Sequence, residues 1–332
     1  MTDVARIAGV SHQTVSRVLN NHPSVSEQTR LRVQAAIAEL GYRRNHAART
    51  LVTGRSQLIG VVAQGSTLYG PASMLSAVEQ TAGAAGFAVS VGSVRSLDRR
   101  AVSEAAGRLL DQRVAGIVII VPVASANEAL DELPEDVPLV VIDGDPTRSE
   151  TLVTVDQATG ARLAVEHLLA AGHRTVWHVR GPLDWFDSQG RVEGWRQALA
   201  EAGAEVPPVV DADWTAASGY KAGQMLARMP EVTAIFTAND HLALGLLRAL
   251  SERGRRVPGD VSVVGFDDVP EAAFFIPPLT TVRPDFDAVA RAGLTLLLEQ
   301  IQAGRPVQER RTIAPVLVRR ASVGPPADQA GP

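Results

Sequence analysis

The chain's 332 residues include no cysteine, which removes disulfides, thiolate nucleophiles and thiolate-rich zinc sites. No apolar run approaches the roughly 20 residues of a membrane helix. The length suits two or three domains, and Met1 to Arg6 lack a secretory pattern, so a cytoplasmic location is expected. Net charge is −4, but residues 1–57 set eight arginines against Asp3, Glu27 and Glu39, a balance of +5 that leaves −9 on the remainder. A cationic end on an anionic body fits attraction to nucleic-acid phosphates; the same charges also suit a merely solvated basic face.

Residues Asp3–Ala8 read as a short helix with Thr2 as its N-cap and Val4, Ala5 and Ala8 inward. Gly9-Val10-Ser11 breaks it, and Ser11 caps a second helix, His12–Leu19, with Val15, Val18 and Leu19 on one side. Asn20-Asn21-His22-Pro23 ends that helix. Ser26 begins a third, whose core stripe is predicted as Leu31, Val33, Ala36, Ile37 and Leu40 before Gly41 stops it. Three short helices with a glycine turn between the first two make a helix-turn-helix unit. A short candidate helix, Asn45–Gly54, follows.

From Leu58 onward, apolar β-rich runs alternate with amphipathic helices. Leu58–Ala63, Phe87–Val91, Gly116–Val121, Leu139–Ile142, Thr175–Val179, Ala234–Thr237 and Val261–Phe266 are predicted as buried strands of βαβ units. The series is too long for one ordinary sheet and breaks near Val155-Asp156. The fold class is therefore α/β: an N-terminal helix-turn-helix plus two doubly wound parallel-sheet subdomains with a cleft between them.

On the second helix, His12, Gln13, Ser16 and Arg17 face away from the core stripe, on the part of a helix-turn-helix that enters the major groove. Gln and Arg match the paired donors and acceptors of adenine and guanine edges. The run Thr2-Asp3-Val4-Ala5, Ala8-Gly9-Val10-Ser11 and Thr14-Val15-Ser16-Arg17-Val18-Leu19-Asn20 closely resembles the start of the lactose repressor/galactose repressor (LacI/GalR) family. The likeness continues through Ala38-Glu39-Leu40-Gly41-Tyr42, Asn45, Leu51, Gly116-Ile117, Ala238-Asn239-Asp240 and Val263–Asp268, and is nearest to the lactose-repressor branch.

That resemblance implies a helix-turn-helix over 1–44, a hinge over 45–56 and a periplasmic-binding-protein-like ligand and dimerisation domain over 57–322. Within the last, the implied subdomains are about 57–155 with 286–312 and about 156–282 with 313–322, followed by a flexible tail, 323–332. His12, Gln13 and Arg17 would read bases, and Ser11, Thr14 and Ser16 would hold phosphates. His12 stands where the lactose-repressor branch has tyrosine, so the operator need not be the same. Asn45 would open a hinge helix that folds on DNA, and Leu51 would wedge into the minor groove and bend the duplex. Arg44 replaces a proline often found before that asparagine, leaving the hinge start less rigid but adding a cation for phosphate.

In the larger domain, Asp143-Gly144-Asp145, Asn239-Asp240 and Asp267-Asp268 follow apolar strands, where ligands of parallel sheets bind. Acidic and amide groups there suit a polyhydroxylated ligand, and aromatic faces cover the apolar side of a sugar ring. The resemblance carries sugar contacts onto Asp143, Arg191, Trp214, Asn239, Asp267 and Phe286. Pro284 replaces a polar family position, and Trp185, Phe186 and Asp187 make a nearby stretch more aromatic and acidic. Each carboxylate or amide has an alternative role as a helix cap, Asn239 and Asp268 above all.

An exported sugar-binding protein would share the two-lobed domain but carry a signal peptide and no helix-turn-helix. A glycosidase would need opposed carboxylates, whereas adjacent residues such as Asp267 and Asp268 point in different directions at a strand end. No phosphate loop, Gly-x-Ser-x-Gly elbow or histidine pair at metal-ligand spacing occurs, so neither catalysis, cofactor nor metal is expected. The expected partners are double-stranded operator DNA, a small sugar effector, galactoside-like by the resemblance, and a second copy of the chain, with no membrane. The end of the chain, Ala321 to Pro332, holds no leucine heptad, so a dimer rather than a tetramer is expected. The first helix begins at the N-terminus, which is short for the family and suggests a start site placed late.

Overall fold

A computed structural model describes residues 1–19, 22–41, 56–134, 136–145 and 147–327. The chain divides into two compact units, Met1–Arg55 and Ser56–Pro332. In the first, α1 (Thr2–Ala8), α2 (His12–Leu19) and α3 (Glu27–Glu39) pack around Val4, Val15 and Val33, each fully buried. Gly9 adopts a left-handed φ of 61°, which turns the chain sharply between α1 and α2. Ser26 caps α3 through the Thr29 amide. Met1, not Thr2, holds the N-cap position of α1 and gives no side-chain cap bond, because the helix starts one residue earlier than expected.

The predicted stripe of α3 is only partly inward. Val33 and Ala36 are buried and Ile37 packs beside them, but Leu31 is 58% and Leu40 40% exposed. Leu31 precedes Val33 by two residues, about 200° around the helix, and Leu40 lies in the C-cap, beyond the last packed turn. The expected hinge positions Arg44, Asn45 and Leu51 lie outside the described residues.

The second unit holds two six-stranded sheets. The first runs β11-β5-β4-β3-β1-β2, and its strands are β1 (Leu58–Gln64), β2 (Ala88–Val94), β3 (Ile117–Ile120), β4 (Leu139–Ile142), β5 (Leu152–Val155) and β11 (Arg310–Ile313). All its pairings are parallel. The second runs β12-β10-β9-β8-β6-β7, from β6 (Trp177–Arg180), β7 (Val210–Asp211), β8 (Ala234–Thr237), β9 (Ser262–Phe266), β10 (Thr280–Arg283) and β12 (Val316–Val318). Here β12 departs from the expected parallel order and pairs antiparallel with β10.

Helices cover both faces, which is why β3, IVII, and β8, AIFT, are buried at every position. They are α4 (Tyr69–Ala84), α5 (Arg99–Asp111), α6 (Ala124–Asn127), α7 (Gln157–Ala170), α8 (Phe186–Glu201), α9 (Ala216–Leu226), α10 (Asp240–Glu252) and α11 (Phe286–Ala303). Helices α9 and α10 touch through Gly219 and Gly245, where any Cβ would collide with the facing helix backbone. The chain passes from the first sheet to the second after β5, and back after β10, so that Val289, Leu294 and Leu297 of α11 join the core of the first lobe. After β11 it crosses again to end in β12. Three connections therefore join two lobes, with the C-terminal ends of β3, β4, β8 and β9 leading to the cleft between them.

Candidate functional site

In the first unit, Ser11 accepts the Thr14 amide at 3.1 Å and bonds the Thr14 hydroxyl at 2.9 Å, closing the first turn of α2. His12, Gln13 and Arg17 are exposed, Thr14 and Ser16 half-buried, and Val15 and Val18 buried. Positions 12, 13, 16 and 17 thus share the face that the packing stripe leaves open. This face offers an amide, a hydroxyl, an imidazole and a guanidinium side by side with the partly positive N-terminus of a helix, a set suited to base edges and phosphates.

In the second unit, one cavity between the lobes is lined by all six residues singled out for a sugar: Asp143, Arg191, Trp214, Asn239, Asp267 and Phe286. Each polar pair at a strand end divides, one member going to the cavity and the other elsewhere. Asp143 lines the cavity while Asp145 folds back on Thr147. Asp267 lines it while Asp268 holds Arg283 and Arg320 at 2.6 Å each, an ion-pair role rather than a cap. Asp240 is fully buried beneath Asn239, accepting from the Thr281 hydroxyl at 2.6 Å and the Val269 amide at 2.9 Å.

Asn239 combines both roles considered for it. Its Oδ1 accepts the Leu242 amide at 2.8 Å as the N-cap of α10, and its Nδ2 donates to the Trp214 carbonyl at 3.1 Å. Trp214 has a left-handed φ of 73°, is 6% exposed, and packs where Gly181 has no side chain; a Cβ there would overlap the indole ring. Its Nε1 donates to nothing among the described residues. Trp185 meets Trp214 edge-on at 5.5 Å, and Phe286 meets Tyr69 edge-on at 6.3 Å. The cavity therefore has an aromatic corner from each lobe.

Arg191, in α8, is the cation at the centre. Its Nε donates to Gln157 at 2.9 Å, its Nη1 to the Ala238 carbonyl, and its Cζ lies 3.7 Å from the Phe266 ring centroid. Only Nη2 faces the acids, 3.6 Å from Asp267 and 3.9 Å from Asp187. Burial pushes the Asp267 carboxyl up to about 7, against the pull of Arg191 and with a further push from Asp187. Burial likewise raises Asp143, helped by the charge of Asp187, while the Val155 amide and Thr154 hydroxyl oppose the rise. Asp187 itself is raised by burial and held down by Arg191.

The same cavity contains Leu68, Tyr69, Pro122, Gln157, Trp185 and Asp187, which the six-residue set omits. Asp187 and Trp185 stand out in the sequence only as an unusual acidic and aromatic stretch. Pro122 follows β3, a predicted strand, and Gln157 follows Val155-Asp156 at the end of β5, so the rule that ligands sit beyond strand ends points to Pro122 and would also point to Gln157 had β5 been recognised. Among the described residues, His178 and His173 are core groups. His178 stacks on Phe236 at 4.7 Å, and burial pushes it down to about 3. His173 bonds Thr233, Ser262 and the Gly324 carbonyl. No described helix is long and apolar enough to cross a membrane.

Comparison with known proteins places this geometry among regulators. Residues 1–45 match the model of "Bacterial regulatory proteins, lacI family", and residues 165–323 that of a periplasmic binding protein-like domain. The lactose operon repressor of Escherichia coli (strain K12) is 36% identical over 331 residues, covering 98% of this chain and 91% of that protein. The ribose operon repressor of the same strain is 31% identical over 328 residues, covering 97% and 99%. A crystal structure of the lac repressor dimer bound to operator and the anti-inducer ONPF is similar at a TM-score of 0.86 and 35% identity, covering 97% of this chain and 98% of that one.

Proposed function

The chain belongs to the lacI family of bacterial regulatory proteins, and from that premise we propose that it is a repressor released from a palindromic operator by a sugar. Two copies read the two half-sites, each with His12, Gln13 and Arg17 on base edges and Ser11, Thr14 and Ser16 on phosphates. Asn45 and Leu51 complete that contact as hinge start and minor-groove wedge. The effector occupies the cleft, where Asp143, Asp267 and Asn239 meet hydroxyls, Arg191 donates to ring or hydroxyl oxygens, and Trp214 and Phe286 cover its apolar faces. The named targets of the relatives, the lactose and ribose operons, differ in sugar, so family alone leaves the effector open.

The observation that carries this reading is the single cavity that brings the guanidinium of Arg191 together with three carboxylates and two aromatic corners. As it stands, that cavity is narrow, and a sugar that fits best with the lobes further apart favours a wider arrangement over this one. That difference in fit is what lets a ligand shift an equilibrium between two states. Chemistry on the sugar has no support here, because Asp267 and Asp268 turn to different partners and the relatives are repressors.

The test is operator binding by fluorescence anisotropy with and without a panel of galactosides, glucosides and pentoses. At least one sugar is expected to weaken binding about tenfold or more, within the usual range of allosteric coupling. Uniform operator affinity across the panel would sink the sugar reading, and absence of any sequence preference would sink the repressor reading.

A further inference from the structure

The resemblance that assigns a sugar to this cleft supplies Asp143, Asp267 and Arg191, two acids and one base. A third acid, Asp187, stands one turn before Arg191 on α8. The base does not neutralise the set. Arg191 directs Nε to Gln157 and Nη1 to the Ala238 carbonyl, and its remaining Nη2 stands 3.6 Å from Asp267 and 3.9 Å from Asp187, beyond a direct hydrogen bond to either. Asp143 accepts two bonds from Thr154 and Val155, both on Oδ1. Three buried acids against one cation leave carboxyl groups whose ionisation needs a further positive charge beside them, and leave vacant acceptor positions in the cleft.

A second observation independently points to a bound group. Trp214, 94% buried, keeps an indole N–H without an acceptor among the described residues while lining the same cavity. A matching ligand must therefore accept one bond, donate several, and bring positive charge. A metal ion does not meet these demands, since no three described acidic or histidine side chains are grouped to hold one. A hydroxyl oxygen answers the indole, and a protonated amine answers the acids: it donates three hydrogens, and its contacts with carboxylates are stronger than those of a neutral hydroxyl. Indole rings beside carboxylates also favour an ammonium electrostatically.

We propose that Asp187 makes this an amine-selecting sugar site, whose effector carries a protonated amino group held by the Asp187 and Asp143 carboxylates. The inference rests on the sugar reading of the cleft and specifies the class of sugar. Galactosides and glucosides without an amine are then weak effectors.

Isothermal titration of the full-length protein at neutral pH tests it with three matched sets: glucose, glucosamine and N-acetylglucosamine, and their β-1,4-linked dimers. The amine-bearing member of a set is expected to bind about tenfold or more tighter than both the neutral and the acetylated one. Asp187→Asn should abolish that preference, and a native-like circular dichroism spectrum with cooperative thermal unfolding shows that the variant is folded. Equal or tighter binding of the neutral sugars to the native chain overturns the inference and leaves the sugar reading standing. A preference that survives in Asp187→Asn overturns the role of Asp187. If no sugar of any set or of the wider panel binds, the sugar reading falls and this inference with it.

Discussion

The Phe186 amide donates to the Pro122 carbonyl at 2.8 Å, a backbone bond from the first residue of α8 in the second lobe to the segment after β3 in the first. The Ala124 amide returns a bond to the Asp184 carbonyl at 3.3 Å, so Val123 and Trp185 form an antiparallel bridge across the cleft. This clasp lies beside Asp187 and Arg191 and favours the narrow cavity. Phe186 stands at the first helical position and Trp185 before it is extended, with φ −89° and ψ 125°, so proline fits at 186 and removes only the donor. Relative to Phe186→Ala, which keeps the amide, Phe186→Pro should bind sugar about fivefold tighter and operator correspondingly more weakly, as loss of roughly 1 kcal/mol of closure implies. Titrations giving the two variants the same affinities would dismiss the clasp.

Asp267 links the cavity to pH. Its folded pKa of about 7 lies above the ordinary carboxylate value of 3.8, so the folded state holds a proton that the unfolded chain has released. Stability contributed by this group is full below the unfolded value and declines as pH rises from about 4 to about 7. Asp267→Asn, which cannot ionise, should therefore be more stable than the native chain above pH 7, by up to about 4 kcal/mol, and show little advantage near pH 4. Chemical denaturation at a series of pH values measures this, and parallel curves for the two proteins would contradict it.

Gly181 leaves room for the Trp214 indole, and an added Cβ would overlap that ring. Gly181→Ala should displace Trp214 and lower sugar affinity at least about tenfold, while the helix-turn-helix continues to bind operator. A repressor that no longer responds to its sugar is the expected outcome. Native sugar affinity in the variant, read by titration, would show that Trp214 does not touch the ligand.

Arg17 and Gln13 are proposed to read bases, whereas Ser11 is proposed to hold phosphate. Arg17→Ala should cost about 1–3 kcal/mol on the native operator and relax preference at one base pair, with non-specific binding reduced less. His12→Tyr should change which operator is preferred rather than overall affinity. Selection from a randomised operator library distinguishes these outcomes: an unchanged preferred sequence in both variants would remove α2 from base reading.

Legibility in the sequence tracked the strength of local signals. All seven predicted strands occur; β3 and β8 are buried along their whole length, whereas β2, expected as buried, is the edge of its sheet and buries only Val94. The five overlooked strands have weaker signatures. β7 is two and β12 three residues long, β11 begins with Arg310-Arg311 at a sheet edge, and β5 and β10 carry threonine among their apolar residues. Their pairing is decided by partners distant in sequence, which periodicity does not report. At the cavity, Asp143, Asn239 and Asp267 were visible as polar residues ending apolar strands. Tyr69, at the start of a helix, has no such marker, and Gln157 has one only through β5, which is not among the predicted strands. The dual use of Asn239 as cap and as support for Trp214 needs both backbones in place to be recognised.

The three connections between the lobes bear on how such regulators diversify. Because β11 and α11 of the first lobe are encoded after the whole of β6 to β10, neither lobe is one uninterrupted stretch of gene. A single recombination event between two relatives therefore yields a chimaeric lobe, part from each parent, with mismatched packing around α11. Exchange of one lobe intact needs several breakpoints at once. New sugar preferences should arise mainly by point substitution at the cleft, as at Asp187, whereas the helix-turn-helix, lying wholly at one end of the chain, is free to be exchanged in one step.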